Sequence, residues 1–328
     1  MIYQKSWRNL ECLVNHYVRL TLFILCCFQF VGCENRDFTE GEGYIDVTGG
    51  KVWYKIVGSG SATPLLLLHG GPGAPSSYLN SLDRLADERP IIFYDQLGSG
   101  KSDHPHDATL WQTERFVEEL AQLRKALRID KVHILGHSWG TMLAIDYMLT
   151  KPSGVESLIL ASPCLSIPRW IEDANKLRSA LPKETQDILT KHEEAGTTDS
   201  EAYLNATTEF YKRHLCRLDP WPEQVENAFA ELNMEIYGTM WGPSEFYATG
   251  TLKDYDCTGL LNQIMVPVLF TAGHYDEATP KTTAWYQSLI PGSKLEIFED
   301  ASHLTMVEKP DKYAQAIREF LHSVENEI

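Results

Sequence analysis

Val132-His133-Ile134-Leu135-Gly136-His137-Ser138-Trp139-Gly140 is an apolar, β-forming run that ends in a G-x-S-x-G turn, and Thr141 to Met148 continues it at helical spacing. Strand, sharp turn and helix form the context in which a serine is presented at the top of a sheet as a nucleophile. Glycines flank Ser138 because neighbours closely approach the backbone there and leave no room for a Cβ. A G-x-S-x-G arises by chance roughly 0.1 times in a chain of this length, so the flanking strand and helix carry the reading. A second glycine-rich turn follows another apolar run, Leu65-Leu66-Leu67-Leu68-His69-Gly70-Gly71-Pro72-Gly73. It is suited to supply a backbone N–H to an oxyanion.

Outward from these turns, short strand-like and helix-like segments alternate. Tyr44 to Thr48 and Lys51 to Val57, joined by Gly49-Gly50, predict an opening hairpin. Pro64 to Leu68, Pro90 to Tyr94, Lys131 to Leu135, Ser157 to Ala161, Pro267 to Thr271 and Lys294 to Phe298 follow. Their apolar character predicts parallel strands covered on both faces. Phe116, Leu120, Leu123 and Leu127 share one helical face, with Glu118, Glu119 and Arg124 mostly elsewhere; Tyr313, Ile317 and Leu321 share another. The order predicts an α/β fold of the α/β-hydrolase type: a mostly parallel sheet with helices on both faces. From about Pro168 to Gly250 strand runs are missing while helical patterns persist. That stretch is read as an inserted helical cap over the carboxyl edge of the sheet, where ligands bind in open α/β folds. The expected organisation is a leader over 1–33, a linker over 34–43, core over 44–167 and 251–328, and cap over 168–250.

A serine needs a histidine to take its proton and a carboxylate to orient that histidine, and in this fold they follow in the order Ser, acid, His. Asp276 ends Val268-Leu269-Phe270-Thr271-Ala272-Gly273-His274-Tyr275-Asp276, and His303 ends Leu295-Glu296-Ile297-Phe298-Glu299-Asp300-Ala301-Ser302-His303. Each sits in the turn after a late strand. His274 is a rival base and Asp254 and Asp256 are rival acids, less well placed because they lie beside the acid or before the strand.

These motifs, with Tyr94-Asp95-Gln96-Leu97-Gly98-Ser99-Gly100-Lys101-Ser102, resemble the proline iminopeptidase family of α/β-hydrolases, including the tricorn-interacting aminopeptidases. The resemblance runs from about residue 44 to the C-terminus. H-G-G-P-G with D-Q-x-G-x-G-x-S separates it from lipases, and Ser138 separates it from dehalogenases with an aspartate nucleophile. The resemblance implies Ser138 as nucleophile, His303 as base, Asp276 as orienter, and the N–H groups of Gly71 and Trp139 as the oxyanion hole. It implies removal of an N-terminal residue, often proline, from short peptides or amino-acid amides with a free N-terminus. Glu245, in Met240-Trp241-Gly242-Pro243-Ser244-Glu245-Phe246, resembles a cap glutamate that holds the substrate's amine. Asp219 stands roughly where the family's second carboxylate falls, with Glu223 as the alternative. A carboxylesterase or amino-acid amidase on the same scaffold is the competing expectation, and an inactive peptide-binding lipoprotein is a further one. No metal or cofactor is implied, and the oligomeric state is left open.

The net charge of −16 argues against nucleic acid and anionic surfaces as partners. Leu20 to Val31 is a mostly apolar dozen behind Lys5, Arg8 and Arg19, short for a membrane span and right for a signal-peptide core. It leads into Phe30-Val31-Gly32-Cys33, which resembles a bacterial lipobox. The expectation is an exported lipoprotein anchored through Cys33; the alternative is an uncleaved segment and a cytoplasmic chain. Of seven cysteines only Cys164, Cys216 and Cys257 lie in the body, an odd set without metal or disulfide spacing.

Overall fold

Leu65, Leu66, Leu67 and Leu68 point alternately to opposite faces of a strand, and both faces are buried. Leu66 and Leu68 pack with Ile92 and Ile134 on one side; Leu65 and Leu67 pack with Phe93 and Leu135 on the other. This double burial is why the central strands read as unbroken apolar runs. The computed structural model describes residues 37–327. Its eight strands are β1 (Gly41–Val47), β2 (Gly50–Val57), β3 (Leu65–Leu68), β4 (Ile91–Tyr94), β5 (Val132–His137), β6 (Val155–Ala161), β7 (Val268–Gly273) and β8 (Lys294–Phe298). They form one sheet in the order β1-β2-β4-β3-β5-β6-β7-β8. β1 and β2 are an antiparallel hairpin and β2 is antiparallel to β4; from β4 to β8 all neighbours are parallel.

Helices α1 (Thr113–Ala126) and α2 (Trp139–Leu149) cover the first face with Phe116, Leu120, Leu123 and Met142. The second face is covered by a 3-10 segment, Ser76–Leu85, through Leu79, Leu82 and Leu85, and by Tyr313, Ile317 and Leu321 near the C-terminus. Five helices lie between β6 and β7 with no strand among them: α3 (Ile167–Arg178), α4 (Lys183–Ala195), α5 (Glu201–His214), α6 (Glu223–Ala230) and α7 (Met234–Met240). The outgoing and returning chains of this insertion run side by side. The Ile167 N–H donates to the Tyr255 carbonyl (2.9 Å), and the Cys257 N–H to that of Leu165 (3.1 Å). After β7 come α8 (Pro280–Ser288), α9 (Thr305–Glu308) and α10 (Pro310–Glu327).

One expectation is corrected. β8 is not covered on both faces: it is the sheet edge, with Lys294 and Glu296 exposed, so its mixed sequence is what an edge needs. Glu119 and Arg124 lie off the apolar stripe of α1, as read from the sequence, yet neither is solvated. Both are buried; Glu119 pairs with Arg115 and accepts from the Leu97 N–H (3.2 Å), while the Arg124 guanidinium donates to the Tyr147 hydroxyl (2.8 Å). No helix among the described residues is long and apolar enough to cross a membrane. The leader, including Cys33, lies outside the described residues.

Candidate active site

Ser138 has φ 54° and ψ −121°, a conformation that non-glycine residues seldom adopt and that surrounding structure must hold. The flanking glycines are sterically required. A Cβ on Gly136 would stand 2.3 Å from the Gly140 carbonyl oxygen, and one on Gly140 would stand 2.2 Å from that of Leu68. The Ser138 N–H donates to the Ala161 carbonyl on β6 (3.0 Å), tying the turn back to the sheet.

Asp276 follows β7 and His303 follows β8, and both are buried. His303 Nδ1 lies 2.8 Å from Asp276 Oδ1, which also accepts from the Ala278 N–H (2.7 Å). With Nδ1–H donated to the carboxylate, the free lone pair is on Nε2. Ser138 and His303 line the same cavity, whose volume is about 90 Å³. The rivals lie elsewhere. His274 is half exposed, 3.5 Å from Glu299; Asp256 accepts from Ser166 and Thr258 at the base of the cap; Asp254 is exposed.

Backbone contacts seat His303 from several directions. Its carbonyl accepts from His137 Nε2 (3.0 Å) and Ser162 Oγ (2.9 Å), and its N–H donates to the His214 carbonyl (3.1 Å) at the end of α5. The neighbouring Leu304 N–H donates to the Leu215 carbonyl (2.9 Å). Glu308 accepts from the Ser302 N–H (2.5 Å) and the Arg217 N–H (2.6 Å). The Gly70 N–H donates to the Tyr78 hydroxyl (2.6 Å), which in turn is 2.8 Å from His137 Nδ1. That chain makes Nδ1 the acceptor and Nε2–H the donor, so His137 is a neutral strut; burial, and next the nearby His303, hold its pKa well below the usual range.

On the opposite side of Ser138, Gly71 has φ +112°, where a Cβ would stand 2.6 Å from the Gly73 nitrogen. Gly71 lines the cavity. Trp139 opens α2, in the first turn, whose N–H groups have no partner within the helix. One side chain ties these two positions together. Gln96 Nε2 donates to the His69 carbonyl (3.0 Å), its Oε1 accepts from the Trp139 indole (2.9 Å), and its own N–H donates to His69 Nε2 (2.9 Å). Asp95 holds the Gln96 loop by accepting from the N–H groups of Ser76 (2.7 Å) and Lys101 (2.8 Å).

Glu245 lines the cavity, where its Oε1 accepts from the Tyr237 hydroxyl (2.6 Å). Burial raises its pKa, with the Tyr237 bond opposing the shift. Its segment is held by the cap: Trp170 Nε1 donates to the Glu245 carbonyl (2.9 Å), and Trp241 Nε1 to that of Ser244 (3.0 Å). Asp219 is corrected. It lies exposed in the loop before α6, away from the cavity wall, and Glu223 is likewise exposed in the first turn of α6. The second carboxylate near the site is one that sequence reasoning missed, Glu277. It is 1% exposed, 3.9 Å from His303 Nδ1, and neither carboxylate oxygen has a protein hydrogen-bond donor. Burial, then the charges of Glu245 and Asp276, push its pKa well above the carboxylate range. The only signal available in the sequence was its place, one residue past Asp276 at the same strand end.

Residues 63–310 match the family model described as alpha/beta hydrolase fold. The proline iminopeptidase of Heyndrickxia coagulans is 51% identical over 285 residues, which is 86% of this chain and 99% of that protein. Among solved structures, VinJ superposes with a TM-score of 0.84 at 35% identity, covering 87% of this chain and 99% of that one. The proline iminopeptidase of Mycobacterium smegmatis superposes with a TM-score of 0.79 at 38% identity, covering 87% and 98%.

Proposed function

The chain belongs to the proline iminopeptidase family of α/β-hydrolases, and on that footing we propose that it is a serine aminopeptidase releasing an N-terminal residue, proline foremost, from short peptides. One observation carries the reading beyond general ester or amide hydrolysis. The cavity holding Ser138 and His303 has Glu245 in its wall, and a second carboxyl group, Glu277, is buried 3.9 Å from His303 with no protein donor. No Lys or Arg of the described residues lines that cavity. Two carboxyl groups buried without a cationic partner are disfavoured as anions, and a bound cation is what would let them ionise. The α-ammonium of a peptide is such a cation, and it stands one residue from the bond to be cut.

In this reading Ser138 Oγ attacks the carbonyl of the first residue while His303 Nε2 takes its proton. The N–H groups of Gly71 and Trp139 receive the developing oxyanion, a contribution worth about 3–4 kcal/mol per donor in related sites. His303 then protonates the departing amine, and water repeats the sequence on the acyl-enzyme. Asp276 holds the tautomer and stabilises the imidazolium. Glu245 and Glu277 set the register, so that only the first peptide bond reaches Ser138.

Free and N-acetylated prolyl arylamides test this directly. The free compound is expected to be cleaved and the blocked one to be nearly inert; equal rates on both would replace the aminopeptidase with an esterase or amidase. For the leader, the basic residues, apolar core and Cys33 support export and lipid anchoring at Cys33. Intact-mass measurement of membrane-extracted protein tests it: a diacylated N-terminal Cys33 is expected, and an unprocessed N-terminus overturns it.

A further inference from the structure

Acyl transfer fixes the side of the cavity on which the departing residue lies. His303 hands its proton to the leaving nitrogen, so the second residue of the peptide stands against the His303 end. There the wall is apolar. Leu304 and Leu215, joined by their backbone hydrogen bond, both line the cavity, and Val225, Ala228 and Phe229 of α6 continue the wall. The amine end is built from different material. Tyr237, which holds Glu245, packs in one hydrophobic cluster with Trp241 and Phe246, whereas Leu215, Val225, Ala228 and Leu304 pack in the other with Tyr78 and Leu79. Tyr211 packs against both clusters and lines the cavity between them.

The geometry points to a subsite for the leaving residue, formed by α6 with Leu215 and Leu304, that selects a medium-sized apolar side chain at the second position of the peptide and rejects a carboxylate there. The inference rests on the aminopeptidase reading above. An acidic side chain, or the free carboxylate of a dipeptide, would lose water against Leu and Val side chains with no cation to receive it. It would also meet the field of Glu245. An apolar side chain instead trades water for the α6 wall.

The test uses the intact enzyme with Pro-Leu-NH2, Pro-Gly-NH2, Pro-Asp-NH2 and free-acid Pro-Leu, comparing kcat/KM. Pro-Leu-NH2 is expected to exceed Pro-Gly-NH2 by about 10- to 100-fold, the worth of burying a leucine side chain. Pro-Asp-NH2 and free Pro-Leu should fall below Pro-Gly-NH2. Phe229→Ala, at a half-buried position, should shrink the Leu-to-Gly ratio several-fold, and Phe229→Lys should raise Pro-Asp-NH2 relative to Pro-Leu-NH2. Because each readout is a ratio between substrates, a partly unfolded variant does not mimic it. A wild-type ratio near one overturns the subsite, as does a ratio that neither variant moves. Failure to cleave any of the four peptides overturns the aminopeptidase reading instead.

Discussion

Replacing Glu277 with glutamine keeps the shape of a buried side chain and removes an ionisable group that no protein donor satisfies, so above pH 4.5 stability and activity should move in opposite directions. The native carboxyl titrates well above its ordinary 4.5, chiefly because it is buried and next because of Glu245 and Asp276. A native state that holds the proton more tightly than the unfolded chain is favoured at low pH and loses stability as pH rises from about 4.5 toward the native pKa. In that window the loss is about 1.4 kcal/mol per pH unit. Glu277→Gln has no such slope. Raising the pH by two units should open a gap of about 3 kcal/mol in favour of the variant, roughly 6–12 °C in Tm at 2–4 °C per kcal/mol. Below pH 4.5 the two proteins should converge. Catalysis should suffer, because a bound ammonium loses one of its two carboxylates. Truncating one partner of a buried charge pair costs about 2–5 kcal/mol. Displacing the proton from Glu277 offsets part of that, which puts the expected loss in kcat/KM for a prolyl arylamide near the lower end, about 30-fold. The assays are thermal denaturation from pH 4 to 8 and parallel kinetics on the arylamide and a small neutral ester. A variant that is less stable than wild type at pH 8, or that loses both substrates equally, would refute the electrostatic argument.

Ser138→Ala should lower kcat by about six orders of magnitude with the fold retained, read by circular dichroism and single-turnover assay; more than a few per cent residual turnover rejects the mechanism. Glu245→Gln should cut kcat/KM for the prolyl arylamide by about 30- to 4000-fold and barely change hydrolysis of a neutral ester. Equal losses would make Glu245 a structural strut of the cap. Gln96→Leu severs the link between His69 and the Trp139 indole and should reduce kcat by about 10- to 100-fold with KM nearly unchanged. A matching loss of affinity for the boronic-acid analogue of proline checks that the oxyanion site is what loosened, and an unaltered analogue affinity argues against it.

Where a segment must satisfy a local rule, the sequence discloses it. Leu65 to Leu68 can only be a strand buried on both faces, and Gly136 and Gly140 fill positions that a Cβ would block. The pairing of Asp276 with His303 was legible because chain order in this fold confines the proposed acid and base to the ends of late strands. The amine end was not so confined. Asp219 was chosen by position in an irregular loop, where neither periodicity nor topology says which way a side chain faces. Glu277 was overlooked because an acid next to Asp276 looks like a surface charge until burial is known. Glu119 flanks the apolar stripe of its helix, and only the facing Arg115 and Leu97 N–H reveal why a carboxylate is buried there.

The hydrogen bonds from His303 and Leu304 to His214 and Leu215, with Glu308 bridging Ser302 and Arg217, bear on how such a protein can be re-engineered. The helical insertion looks like an interchangeable part, entered and left through one paired base. Yet its middle supplies backbone acceptors that seat His303, so it belongs in part to the proposed catalytic apparatus. A chimera joined at that base would exchange more than specificity: without a segment equivalent to residues 214–217, the histidine loop loses its outer support. The grafting unit for new selectivity is therefore smaller than the whole insertion, and α6 with its flanking turns can vary while the end of α5 stays fixed.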